Sequence, residues 1–214
     1  MTAKACIFDF DGTVMDSEKY HHQAWEEVAK AIGTDFSYEE YMPLKSAGRQ
    51  VVIPYLLNKA GITPTQELFD KYFALREERI LQALLQLNEN DIMPGLVQYV
   101  QFLRKNGVLC AVASSRAAAH VTAKRFGLFD LFDAFVDGEN KLPNKPQPHM
   151  FLHAAKLLNV PAQDCVVFED SINGLLAAKN ANMRVVGIQT YFTNLADRII
   201  DDFTQADLST ITFE

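Results

Sequence analysis

Long apolar runs are missing from this chain. Asp9 and Asp11 arrive almost at once after the N-terminus, which leaves no room for a signal-peptide core, and no run of about 18 apolar residues follows. A cytoplasmic protein without a membrane span is expected. Cysteine is scarce: Cys6, Cys110 and Cys165 each sit inside a short apolar stretch and form no C-x-x-C pair, so they read as small buried hydrophobes and not as a disulfide or metal framework. Basic runs are absent too. The net charge of −7 gives a long-range field that repels polyanions, which excludes nucleic acid as a partner. An anionic small molecule would have to be held by a few local cations working against that background. Repeats and low-complexity segments are not found, and nothing calls for more than a monomer.

What is present is ordinary globular composition. Apolar residues make up 49% and charged residues 22% of 214, which excludes disorder and allows one domain, or one domain carrying an inserted second. Five short runs rich in Val, Ile, Cys and Phe read as strands buried on both faces: Ala5 to Phe8, Val108 to Ala113, Ala134 to Val136, Cys165 to Phe168 and Arg184 to Ile188. Amphipathic helical segments lie between them, at Leu96 to Asn106, Ala117 to Phe126, Met150 to Leu158 and Gly174 to Asn182, with Gly107 and Gly127 just past the ends of the first two. Strand alternating with helix predicts an α/β fold, a doubly wound parallel sheet.

The alternation is interrupted after the first strand. From about Glu18 to Asp91 there is no strand pattern, but there is a helical stripe of Trp25, Val28, Ala29 and Ile32, and a long helical region from Thr65 to Leu87 around Leu68, Tyr72, Leu75 and Leu84. This predicts a helical cap domain over 17–92, inserted into an α/β core formed by 1–16 and 93–214. Met93-Pro94-Gly95 marks the return, with Pro94 opening the next helix. Pro54 predicts a break or a helix start within the insert.

Chemistry-bearing residues cluster where strands end. Asp9 and Asp11, in Asp9-Phe10-Asp11-Gly12-Thr13, follow the first strand; side chains two apart on a strand face the same way, about 6.5 Å apart along it. Ligands in open α/β sheets gather at that edge. Taken alone, Asp-Gly is also an ordinary turn. Glu169-Asp170-Ser171 follows another strand, with Gly174 shortly after. Two acidic pairs at two strand ends repel each other unless a cation sits between them, and hard oxygen donors suit Mg²⁺. One of Asp170 and Ser171 capping the next helix is the plainer alternative, but it accounts for only one residue. Ser114-Ser115-Arg116 ends a third strand, where hydroxyls and N–H groups offer either a phosphate seat or a simple helix cap. Lys145, before Pro146, is either a solvated loop lysine or the cation that neutralises nucleophile and phosphate.

Asp9-x-Asp11-Gly12-Thr13, then Ser114, then Lys145-Pro146, then Glu169-Asp170, in this order, resembles the haloacid dehalogenase superfamily, over essentially the whole chain. Within it the chain looks most like the sugar-phosphate branch with a helical cap, which includes β-phosphoglucomutase and small sugar-phosphate phosphatases. The resemblance implies a Rossmann-like core and an Mg²⁺-dependent phosphohydrolase acting on a small sugar phosphate. Asp9 would be the nucleophile that forms an aspartyl-phosphate, and Asp11 the general acid and base. Asp9, the backbone carbonyl of Asp11 and Asp170 would hold Mg²⁺ with Glu169 close by. Ser114, Ser115 and Lys145 would grip the phosphoryl group.

Two further residues of the insert come from the same resemblance. His21, four residues before Trp25 and on its stripe, faces inward, as either a core histidine or a contact to the catalytic acid; His22 is expected not to face inward. Arg49, in Leu44-Lys45-Ser46-Ala47-Gly48-Arg49, is either a solvated arginine or a ligand for a substrate's far phosphate, and Arg76 is a second such position. His149 stands where Asp or Glu is common, which alters only a helix cap, while the residues after Arg49, most visibly Pro54, depart from the mutase pattern. Hydrolysis is therefore expected ahead of a mutase reaction. A phospho-acceptor signalling domain also uses acidic residues and a lysine on such a sheet, but has no use for a long helical insert.

Overall fold

The computed structural model describes residues 1–45, 47–190 and 194–213. Six parallel strands form one sheet in the order β3-β2-β1-β4-β5-β6: β1 Ala5–Phe8, β2 Leu109–Ala113, β3 Ala134–Val136, β4 Cys165–Glu169, β5 Arg184–Ile188 and β6 Arg198–Ile200. The chain moves outward from β1 in one direction to β3, then returns to β1's other side for β4. That reversal leaves a crevice at the carboxyl ends of β1 and β4, the place where doubly wound sheets bind ligands.

Each central strand is buried on both faces, which is why the strands read as continuous apolar runs. Ala5 and Ile7 of β1 join Ala111, Val167 and Val185 in a core covered by Met150, Phe151, Ala154 and Leu175. On the opposite face Phe8 stacks on Phe168 at 4.7 Å between ring centroids, and Tyr99 and Phe203 close over Phe168. Each fully buried ring of this kind stabilises the fold by roughly 1.5–3 kcal/mol. Cys6, Cys110 and Cys165 are free and buried in the sheet, and burial pushes the Cys110 and Cys165 thiols up to about 12, which keeps them inert.

The chain divides into two compact units, Met1–Asp16 with Asn88–Glu214, and Ser17–Leu87. The first contains the sheet. Its helices, which follow the four of the second unit in chain order, are α5 Leu96–Lys105, α6 Ala119–Arg125, α7 His149–Leu157 and α8 Ile172–Asn180. Asp91 and Ile92 belong with it because they bond back to Asp16 and Met15. Pro94 stands before the helix and not in its first turn, since α5 opens at Leu96 after Gly95.

The second unit is helical: α1 Glu18–Ile32, α2 Tyr38–Tyr41, α3 Arg49–Lys59 and α4 Gln66–Leu84. Trp25, Val28, Ala29 and Ile32 are buried against Val52, Ile53, Leu56, Leu57 and Tyr72. Thr65 caps α4 through Leu68 N–H at 3.3 Å. Two expectations fail here. Pro54 lies inside α3 without breaking it, because the missing N–H strands only the carbonyl of Gln50, an exposed residue whose carbonyl water can satisfy. His22 is not turned to solvent: its side chain is only 13% exposed, its Nε2 lies 3.0 Å from the Phe36 carbonyl, and it packs among Phe36, Tyr38 and Tyr41. The segment after α1 folds over the helix flank and widens the buried stripe beyond what periodicity marks. Among the described residues no helix is long and apolar enough to cross a membrane.

Candidate active site

The register of the three central strands sets the site. Phe8 pairs with Val112 on one side and Phe168 on the other, so Asp9, Ala113 and Glu169 stand level at the carboxyl edge. Asp9 continues the ladder by one bond, from its N–H to the Phe168 carbonyl at 2.9 Å. Carboxylate oxygens of Asp9, Glu169 and Asp170 lie within 4.8 Å of one another, and all three residues are buried.

Lys145 reaches into this cluster from the loop before α7. Its ammonium, only 7% exposed, donates to Asp9 Oδ1 and, at 2.8 Å, to Glu169 Oε1. Glu169 Oε2 accepts from the Ser171 N–H at 2.6 Å, and Ser171 Oγ caps α8 through Gly174 N–H at 3.1 Å. Burial pushes the Asp9 carboxyl well above the usual range; Lys145 opposes the rise, and Glu169 and Asp170 reinforce it. Burial pulls the Lys145 ammonium down, but the attraction of Asp9 and Glu169 outweighs it and leaves its pKa raised. Three carboxylates thus gather around one ammonium in a buried place. An all-oxygen donor set of this kind fits a hard divalent cation such as Mg²⁺.

Backbone close approach makes the cluster this tight. A Cβ on Gly174 would stand 1.7 Å from Glu169 Oε1, and one on Gly12 would stand 2.2 Å from Asp170 Oδ2. Gly12 also has φ +87, so both positions exclude side chains.

The other expected residues are distributed as follows. Asp11 is not among the three clustered carboxylates; its Oδ2 accepts from Arg116 Nε at 2.8 Å. Ser114 is buried, its N–H donates to the Val136 carbonyl at 3.0 Å and its Oγ accepts from Arg116 N–H at 3.1 Å. Ser115 is exposed and directs its hydroxyl to Met150 Sδ at 3.6 Å. Neither serine opens a helix. The helix of this segment begins only at Ala119, because Ala118 takes a left-handed φ of 57 and the chain turns there. His21 and Arg49 lie in the helical unit. His21 is half-buried, with Nδ1 3.2 Å from an Arg76 amino group, and Arg76 stands over the Trp25 ring at 5.4 Å. Arg49 is exposed and lies over Phe73 at 4.3 Å. Arg116 is the residue to which sequence reasoning gave no role. Its only signal was a lone cation directly after a strand end in an acidic chain.

Comparison with known proteins agrees with this geometry. Residues 3–182 match the family model of haloacid dehalogenase-like hydrolases. The chain is 32% identical over 187 residues to β-phosphoglucomutase of Bacillus subtilis (strain 168), covering 86% of this chain and 83% of that protein. It is 33% identical over 191 residues to hexitol phosphatase B of Escherichia coli (strain K12), covering 85% and 82%. The crystal structure of β-phosphoglucomutase from Clostridium difficile is similar with a TM-score of 0.81 and 28% identity, covering 98% of this chain and 95% of that one. The family match runs from Ala3 to Asn182 and so takes in every residue of the acidic edge. The chain belongs to the haloacid dehalogenase-like hydrolase family.

Proposed function

We propose that this protein is an Mg²⁺-dependent phosphohydrolase that cleaves a small sugar phosphate through a phosphorylated Asp9. The observation that carries the reading is the Lys145 ammonium bridging Asp9 and Glu169 inside a buried carboxylate cluster at the sheet's switch point. A carboxylate held there is oriented, stripped of water and neighboured by charge that a phosphoryl group can use. The sugar-phosphate substrate class is supported by relatives named hexitol phosphatase B and phosphorylated carbohydrates phosphatase.

In the first step an Asp9 carboxylate oxygen attacks phosphorus, the bond from phosphorus to the sugar oxygen breaks, and that oxygen takes its proton from the Asp11 carboxyl. In the second, water attacks the aspartyl-phosphate, Asp11 takes the water's proton, and the bond to Asp9 breaks to release inorganic phosphate. Lys145 and Ser114 hold the phosphoryl oxygens through both steps. Asp9, Asp170 and the Asp11 carbonyl, with Glu169 beside them, would hold Mg²⁺, which when bound supplies charge neutralisation at the phosphoryl oxygens.

A second reading, β-phosphoglucomutase, is favoured by the two relatives of that name and by Arg49, His21 and Arg76 in the helical unit. The acceptor decides between them: water for hydrolysis, a sugar hydroxyl for the mutase. The test incubates protein and Mg²⁺ with a panel of sugar phosphates, including β-glucose 1-phosphate with and without a trace of glucose 1,6-bisphosphate. Phosphate release lost in Asp9→Asn establishes the phosphatase. Bisphosphate-dependent glucose 6-phosphate without matching phosphate establishes the mutase, and no turnover on any ester refutes both.

A further inference from the structure

Arg116 is fixed at its backbone and at its side chain. Its N–H donates to Ser114 Oγ at 3.1 Å, and its carbonyl accepts from Gly138 N–H at 3.2 Å. Gly138 lies so close beneath this loop that a Cβ there would stand 2.7 Å from Ala117 N. The guanidinium lies over the Phe10 ring at 5.1 Å, donates through one amino group to Thr122 Oγ1 at 3.0 Å, and donates through Nε to Asp11 Oδ2 at 2.8 Å. Its second amino group is buried without a hydrogen-bond partner among the described residues. The side chain is therefore not arranged to satisfy itself. Its Nε edge is given to Asp11.

We propose that Arg116 is the positioning residue for Asp11, tying the general acid and base to the Ser114 loop that holds the phosphoryl group. The inference rests on the reading of Asp11 given above. A carboxyl group has two oxygens, and an arginine N–H bound to Oδ2 leaves Oδ1 to carry the proton. Oδ2 accepts from Nε whether or not Oδ1 is protonated, so one contact serves both half-reactions and keeps the same oxygen turned to the substrate. The charges agree with this role. The acidic cluster already has its ammonium in Lys145, and Arg116 compensates the one carboxylate of the motif that stands outside it. A rotation of Asp11 displaces the reacting oxygen by about 1 Å or more, enough to cost about a hundredfold in rate.

The experiment compares kcat/KM for phenyl phosphate and p-nitrophenyl phosphate in the Mg²⁺-loaded enzyme, in Asp11→Asn, Arg116→Ala, Arg116→Lys, Thr122→Val and the Asp11→Asn/Arg116→Ala double variant. Phenoxide is the poorer leaving group and needs the proton; nitrophenoxide departs without it. A residue that acts through Asp11 lowers the phenyl phosphate value about ten- to a hundredfold, with a much smaller loss on p-nitrophenyl phosphate. The double variant should then be no worse than Asp11→Asn alone, and Arg116→Lys should recover part of the loss. Equal losses on both esters, or a change confined to KM, would overturn the inference, because a phosphate-binding or merely structural residue behaves that way. Asp11→Asn without leaving-group dependence sinks instead the acid–base reading of Asp11. If Arg116→Ala does not fold, Thr122→Val must show the same selectivity at smaller size, and its absence counts against the proposal. No turnover of either ester by the unsubstituted protein removes the phosphatase reading and this inference with it.

Discussion

Charged side chains are used in opposite ways at two places in this protein, the carboxyl edge of the sheet and the exposed surface of the helical unit. At the carboxyl edge of the sheet, Lys145 and Glu169 are 7% and 1% exposed, and each is held by two polar partners. In the helical unit, Lys59 bonds Asp35 and Glu40 at the surface, Arg79 pairs with Glu27 at 3.0 Å with both side chains a third or more exposed, and Arg49 is exposed. A buried charge is costly to strand and so fixes geometry; an exposed one is screened and can be exchanged with little consequence for folding. Exposed charges of the second kind can be altered without unfolding anything, whereas the buried ones at the sheet edge cannot.

The largest expected effect tests the buried side of this contrast. Asp9→Asn should lower turnover by at least about 10³-fold, since a nucleophile that is removed leaves only binding and electrostatics. Its melting temperature should stay close to the parent's, because the substitution removes a carboxyl that burial already disfavours in its charged form. Lys145→Ala should both inactivate and destabilise the protein, by about 3–5 kcal/mol in urea unfolding without metal, because it leaves buried carboxylates unpaired. Lys59→Ala, which breaks as many ion pairs in the helical unit, should give an unfolding curve that overlays the parent's. Equal destabilisation by the two lysine variants would break the comparison.

Arg49→Ala sharpens it from the other side. It should raise KM for the best sugar phosphate about tenfold while kcat changes little, the mark of a contact made equally in ground and transition states. The stability change should be no more than the cation–π contact with Phe73 supplies at an exposed site, about 0.5–1 kcal/mol. A kcat loss with unchanged KM would instead place Arg49 with the chemistry.

How much of this was legible in the sequence follows the same division. Strands buried on both faces carry their signal in composition, so Ala5–Phe8 and Arg184–Ile188 were readable to the residue. β6, Arg198–Ile200, was missed because an edge strand of three residues, none of them fully buried, has no pattern to show. Asp9, Glu169 and Asp170 were readable together because they stand at strand ends, where topology forces convergence, whereas Lys145, in the loop between β3 and α7, was placed with them by the family resemblance alone. That Gly12 and Gly174 permit the close approach which makes the cluster compact was not read from the sequence and is seen only in the structure. The Arg116–Asp11 pair was not readable, since a contact between side chains 105 positions apart depends on rotamers that no spacing encodes. His22 was misread for the related reason that burial by a later segment leaves no trace in a helix's own periodicity.

Smaller effects lie away from the site. Asp197 bonds Lys179 at 2.8 Å, Arg184 at 3.1 Å and the Val185 N–H at 2.8 Å. Burial raises its pKa, but these partners outweigh burial and hold it below the usual carboxylate range. A depressed pKa in the folded state contributes stability above the unfolded value, near 4, and that stability is lost as pH falls through the folded value. Melting temperature measured from pH 6 down to about 2 should therefore fall less steeply in Asp197→Asn than in the parent.

The smallest effect concerns α7, the helix that follows the Lys145 loop. It begins at His149 with no side-chain cap, no acidic residue in its first turn, and Pro148 at the N-cap. Its first N–H groups thus face outward with neither an acceptor from a cap nor an anion to meet the positive end of the helix dipole. His149 is exposed, so Glu at this position adds charge without disturbing the packing of Met150 and Phe151 beneath it. His149→Glu should raise stability by about 0.3–1 kcal/mol, or about 1–4 °C in melting temperature for a chain of this size, and the gain should shrink in high salt. Turnover should be unchanged, because the helix only supports the loop from which Lys145 reaches Asp9. A change in kcat at constant stability would mean that the loop's position, and with it the buried geometry of the sheet edge, is softer than the ion pairs of Lys145 indicate.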